Sequence, residues 1–240
     1  MKRLLTNALA FMLSLAIISS LSIAVFATDR DAEDINAPDL NDPERLEEIA
    51  ETNEKIDNYI SQKFASPARS SSSNYLNVPL YQQINSYYCG PASVQMVVKY
   101  CTNSLISQST LASSMGTSSS GGTYVYQVTQ ELNKRVGGYQ YTGTWEYSFS
   151  NGLIYSIDKG KPVVCHLMTG SLPNYPTTAN SGHYVVATGY YVAFSGSSST
   201  STCRYNDPHY NSSYYGTYTC SISEMTAAIN ANAGYYIRST

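Results

Sequence analysis

The chain has 240 residues, with 14 Lys and Arg against 17 Asp and Glu, a net charge of −3, and 23 Tyr. A near-neutral chain with no basic run and no aromatic–basic interleaving is not built to bind nucleic acid. Three His, no Cys-x-x-Cys and no His-x-x-x-His exclude the usual metal-binding spacings, and nothing in the sequence calls for a cofactor.

Met1-Lys2-Arg3 is followed by an uncharged stretch from Leu4 to Ala27 that ends Val25-Phe26-Ala27. A basic start, an apolar run and a small-residue end predict a secretory signal peptide over 1–27, cut after Ala27. An uncleaved membrane anchor is the alternative. The mature chain is therefore expected to be secreted. Residues 28–73 are acidic and almost free of aromatics, and Asp29 to Asn41 reads as disordered. Asp42-Pro43-Glu44 is a helix start, with Asp42 as N-cap. Leu46, Ile49, Ile56, Tyr59 and Ile60 then recur at helical spacing and predict one amphipathic helix over 43–64. Ser66 to Ser73 reads as a flexible linker. The 28–73 segment is read as a propeptide, with a spacer or a partner-binding segment as alternatives.

Residues 74–240 have the size of one domain. Tyr75 to Tyr81 is extended, and Pro79 keeps it from being a central strand. A loop carrying Gln83 leads to Cys89-Gly90-Pro91-Ala92, which opens a helix to about Cys101. Helices are predicted over 104–115, 123–136 and 149–159, with a glycine–serine loop at 118–122 and a short strand at 139–144. The pattern then changes: strands are predicted at 162–168, 183–192, 202–206, 214–220 and 234–238, with a helix at 223–232. Helices first and an antiparallel sheet second is an α+β order.

Cys89 stands at a helix N-terminus, where unpaired N–H groups and the helix dipole favour a thiolate. Read alone, a single Cys is more often a buried small hydrophobe. A nucleophilic Cys needs a base, and the base needs an orienting group. His183 opens an apolar strand and Asp207 closes a later one. If those strands are neighbours, Asp207 can hold one nitrogen of His183 while the other faces Cys89. His166 reads as a core residue, His209 as a solvated loop residue, and Asn206 as a stand-in for Asp207. Gln83 can bring an N–H donor beside the sulfur, as an oxyanion hole requires together with a backbone N–H. Trp145 and the Tyr pairs 87–88, 190–191 and 214–215 read as packing residues. The cysteines Cys89, Cys101, Cys165, Cys203 and Cys220 are odd in number. With Cys89 free, Cys203 and Cys220 are the favoured disulfide.

Gln83, Cys89-Gly90-Pro91-Ala92, Gly182-His183-Tyr184-Val185-Val186-Ala187-Thr188-Gly189-Tyr190 and Asn206-Asp207-Pro208 together resemble the papain-like cysteine peptidases. Within them they look like the bacteriocin-processing (double-glycine leader) branch and its secreted peptidase-like relatives. The resemblance covers 74–240. It implies a helical subdomain carrying Cys89, packed on an antiparallel sheet carrying His183 and Asp207. It also implies Cys89 as nucleophile, His183 as general base and acid, Asp207 as orienting residue and Gln83 as oxyanion donor. The implied activity is peptide hydrolysis with peptide or protein substrates, and a monomer is expected, with cell-wall association as a further possible contact. Tyr88 stands where many relatives carry a polar residue, and the double-glycine substrate rule is not carried over. The rival readings are a transpeptidase or amidase acting on cell-wall peptides, and a non-catalytic surface binding protein of the same fold.

Overall fold

The computed structural model describes residues 43–65, 71–138, 140–145, 147–195 and 198–240. The signal-peptide stretch, the 28–42 segment with its Asp42 cap, and residues 66–70 lie outside them. Helix α1 (Pro43–Phe64) spans the range its apolar spacing predicts, and Ile49 and Ile56 are its buried face. Strand β1 (Ser71–Tyr75) follows. The linker expected over Ser66 to Ser73 is corrected here. Ser71 to Ser73 pair antiparallel with the far half of β4 (Gly182–Ser195), so the boundary drawn at Asn74 falls inside a strand. Serine has little strand preference of its own, and the pairing edge of β4 supplies it.

Helix α2 (Cys89–Thr102) is buried on nearly all sides from Gly90 to Val98 and ends on Asn103 in the left-handed conformation. Helix α3 (Gln108–Met115) starts later than predicted, because the Ser107 side chain caps it by accepting from the Thr110 N–H. Helix α4 (Val125–Val136), strand β2 (Tyr141–Thr144), helix α5 (Phe149–Asp158) and strand β3 (Val163–Met168) come next. The remaining elements are β4, β5 (Ser198–Asp207), β6 (Gly216–Ser221), α6 (Ile222–Asn230) and β7 (Tyr236–Ser239).

The sheet runs β2-β7-β3-β4-β5-β6, with β1 alongside the far half of β4. Every pairing in it is antiparallel, which is the α+β order expected. Val163, Val164, Leu167, Val185, Val186 and Ile237 form the centre of a continuous core with Val94, Val97 and Leu153 from the helices. The disulfide expected between Cys203 and Cys220 is not formed. The two stand directly opposite each other on β5 and β6, yet both are free thiols, as are Cys89, Cys101 and Cys165. Burial pushes both thiols up, Cys220 to about 12, so they pack as small protonated hydrophobes.

Candidate active site

Cys89 is the first residue of α2, and its first turn is closed by the Ala92 N–H donating to Tyr88 O at 2.9 Å. Gly90 is required by close packing. A Cβ there would come within 2.7 Å of Thr123 Oγ1. His183 is the second residue of β4, and Asp207 is the last residue of β5. The β4–β5 register pairs Val186 with Asn206, which sets His183 diagonally across from Asp207 on one face of the sheet.

His183 Nε2 and Asp207 Oδ1 are 2.8 Å apart, both residues being buried. That leaves the other ring nitrogen for Cys89, whose thiol the His183 ring lowers. The backbone N–H groups of Tyr184 and Gly90 lower it further. Burial alone raises a thiol, but here the His183 hydrogen bond and charge outweigh it, and the Cys89 thiol lies below its ordinary value. Burial alone would likewise lower His183. The adjacent Asp207 carboxylate, and then Cys89, push it up to about 10. Asp207 is held below the ordinary carboxylate range, burial being outweighed by the His183 charge and by its hydrogen-bond donors. The three groups thus favour a thiolate, an imidazolium and a carboxylate in line.

Gln83 is buried. Its Nε2 donates to Asn85 O at 2.7 Å, and its main-chain N–H donates to Pro208 O at 2.7 Å. Gln82 Nε2 donates to Tyr210 O at 2.9 Å. These bonds tie the loop before Cys89 to the loop after Asp207. One N–H of Gln83 Nε2 is left over once Asn85 O is served.

The other sequence candidates sit elsewhere. Asn206 faces away from the site, donating to Val78 O at 3.0 Å and accepting from Thr217 at 2.7 Å. His166 stacks on Tyr184, accepts from Asn232 Nδ2 at 3.0 Å, and is pushed down to about 4 by burial. It is a neutral, half-buried residue of β3 at the edge of the core, not the satisfied core residue its strand position predicts. His209 is not simply a solvated loop residue. Its N–H donates to Asp207 Oδ1 at 3.0 Å, and its ring packs edge-on to His183, Tyr175 and Tyr214.

Sequence reasoning missed Tyr175 and Asn174. The Tyr175 hydroxyl donates to Asp207 Oδ2 at 2.8 Å, and Asn174 Nδ2 approaches the same oxygen at 3.4 Å. Both lie in an irregular Pro- and Asn-containing loop more than 30 residues before Asp207, and no local pattern marks them. Among the described residues no cluster of three or more His, Cys, Asp or Glu side chains is arranged to hold a metal ion.

A helix-borne Cys facing a His–Asp pair held by an antiparallel sheet defines a site of the cysteine-peptidase class. The chain belongs to the Peptidase_C39-like family, whose model matches residues 75–235. No curated protein sequence matches it. Among solved structures, it is similar to a double glycine motif protease from an AMS/PCAT transporter in complex with its leader peptide, at 17% identity and a TM-score of 0.44. That match covers 69% of this chain and 93% of the other. It is also similar to the peptidase domain of Streptococcus ComA, a bi-functional ABC transporter, at 20% identity and TM-score 0.45, covering 68% and 98%. A third likeness is to the bromelain protease from Ananas comosus in complex with E64, at 13% identity and TM-score 0.44, covering 72% and 99%.

Proposed function

We propose that this chain is a cysteine peptidase that hydrolyses peptide bonds through Cys89, His183 and Asp207. The observation that carries the reading is geometric: Cys89 opens α2 beside a buried His183 whose Nε2 is held 2.8 Å from Asp207 Oδ1, and the lowered thiol and raised imidazole agree with it. A lowered thiol beside a raised imidazole favours the thiolate–imidazolium couple, the form in which a Cys attacks and its partner His delivers a proton.

The thiolate attacks the scissile carbonyl carbon and the carbonyl π pair moves to oxygen. That oxyanion is received by the Cys89 backbone N–H and the remaining N–H of Gln83. Collapse breaks the C–N bond as His183 gives its proton to the leaving amine. Neutral His183 then takes a proton from water, the hydroxide attacks the thioester, and the acid product leaves with the thiolate restored. Asp207 keeps His183 in one orientation throughout. The reading extends to export. The basic start and apolar run to Ala27 support an enzyme working outside the cytoplasm, and its activity requires Cys89 as the reduced thiol.

The test is peptide-library cleavage by wild type and Cys89→Ala, with products identified by mass spectrometry and an added primary amine in parallel. New amine and acid termini that require Cys89 support hydrolysis. Products carrying the added amine in place of water point to transpeptidation. No Cys89-dependent product sinks the peptidase reading in favour of a binding protein.

A further inference from the structure

The sequence reads residues 28–73 as a segment to be removed. We infer instead that residues 43–65 and 71–75 are a permanent strap of the folded domain, docked on a surface built to receive them and away from Cys89. For activity, the inference rests on the peptidase reading above.

Three observations carry it. The first is a buried hub at Asp158, the last residue of α5. Its carboxylate accepts from Tyr59 at 2.8 Å and Lys63 at 2.8 Å on α1, from Asn74 at 3.2 Å on β1, and from Tyr190 at 2.8 Å on β4. One carboxylate thus ties together both elements of the strap, a helix and the sheet. The Lys63 and Asp158 side chains are only 14% and 11% exposed, so undocking the strap would strip a buried charge of its partners.

The second observation is that the seam continues along α1. Asp57 Oδ1 accepts from Tyr147 at 2.7 Å and Asn151 at 3.0 Å, and Asn53 Oδ1 accepts from the buried Arg238 at 2.6 Å. Ile56 is fully buried. β1 then adds five residues to the β4 ladder. Gly189 is the receiving notch. A Cβ there would lie 2.3 Å from Tyr75 Cδ1 and 2.9 Å from Asn74 O, so only glycine lets β1 lie against β4 at that point.

The third observation is direction. Phe64 packs edge-on against Phe194 at the far end of β4, whereas His183 is at its start. They are eleven strand positions apart, roughly 35 Å at the usual rise. None of the contacts above involves Gln83, Cys89, His183 or Asp207. A segment docked there has no means of plugging the site, so its loss would unfold the domain rather than unmask Cys89.

The experiment uses the full chain. Hydrogen exchange of the wild type is followed by mass spectrometry. In parallel, iodoacetamide alkylation of Cys89 is measured in Asp158→Asn and Ile56→Ala at a temperature where the buried Cys165, Cys203 and Cys220 stay unlabelled. The inference predicts that α1 and β1 amides share the slowest exchange class with β4. It predicts lower melting temperatures for both variants, and Cys89 labelling within about twofold of wild type. It is overturned if α1 and β1 exchange about a hundredfold faster than β4. It is equally overturned if weakening the seam speeds Cys89 labelling about tenfold or more, as release of an inhibitor would. Slow labelling of Cys89 in wild type and variants alike would count against the peptidase reading and leave the exchange result to decide the strap.

Discussion

Tyr175→Phe removes one hydroxyl and keeps the ring, which stacks on Tyr214 at 4.6 Å. The hydroxyl serves Asp207 Oδ2, and Asn174 at 3.4 Å is too long to replace it. Asp207 is fully buried, so solvent cannot take over. A hydrogen bond to a buried charged group is worth about 1.5–3 kcal/mol, and the variant should lose about 2 kcal/mol. For a chain of this size that is a fall of roughly 4–8 °C in melting temperature. The loss should also depend on pH. Asp207 is held below its ordinary value of 3.8 in the folded state, so its contribution is present above that value and is lost as pH falls below it. Removing a donor moves the folded carboxyl back toward the ordinary value. The gap between wild type and variant is therefore full at neutral pH and closes in acid. Urea denaturation of both proteins between neutral pH and pH about 3 measures this. A gap under about 0.5 kcal/mol at neutral pH, or one that does not change in acid, would refute the reasoning.

Gly90→Ala places a methyl against Thr123 and should destabilise by about 1–3 kcal/mol. Thr123→Ala in the same chain should recover part of that on thermal melting, since it removes the Oγ1 that the added methyl would meet at 2.7 Å. The Lys63–Asp158 pair gives a second acid-sensitive term. Asp158 is held below 3.8, burial being outweighed by its hydrogen bonds from Lys63, Tyr59 and Tyr190, so wild type should lose this term as pH falls below that value. Asp158→Asn should show a smaller loss over the same window in acid-denaturation curves. His166→Gln should leave Cys89 labelling at neutral pH within about twofold of wild type, because His166 is neutral there and bonded to Asn232. A tenfold drop would make His166 part of the site.

Much of this molecule is legible in its sequence where local chemistry is strong. Pro43 and the apolar spacing of Ile49, Ile56 and Ile60 mark α1 to its ends, and Gly90-Pro91 marks the start of α2. Asp207 and His183 are readable as polar residues at strand ends, although both are buried. What was not legible depends on partners distant in sequence. Ser71 to Ser73 carry no strand signal and are strand only because β4 offers an edge. Tyr175 looks like any loop tyrosine, and its role comes from the fold bringing it onto Asp207. Cys203 and Cys220 were correctly sensed as neighbours, since the register puts them opposite, but both thiols remain free. The Ser104 to Met115 helix starts only at Gln108 because its cap, Ser107, is one of several serines in that stretch and the sequence does not single it out.

The central claim is that Cys89 is a thiolate paired with a His183 imidazolium. The most direct measurement is the pH dependence of Cys89 alkylation in the full chain, beside His183→Ala and Cys89→Ala. The account predicts fast labelling well below the ordinary thiol pKa of about 8.5. Labelling should change again only as His183 loses its proton near pH 10, and the fast phase should vanish in His183→Ala. Slow labelling that rises only around the ordinary thiol pKa, and is the same in His183→Ala, would contradict it.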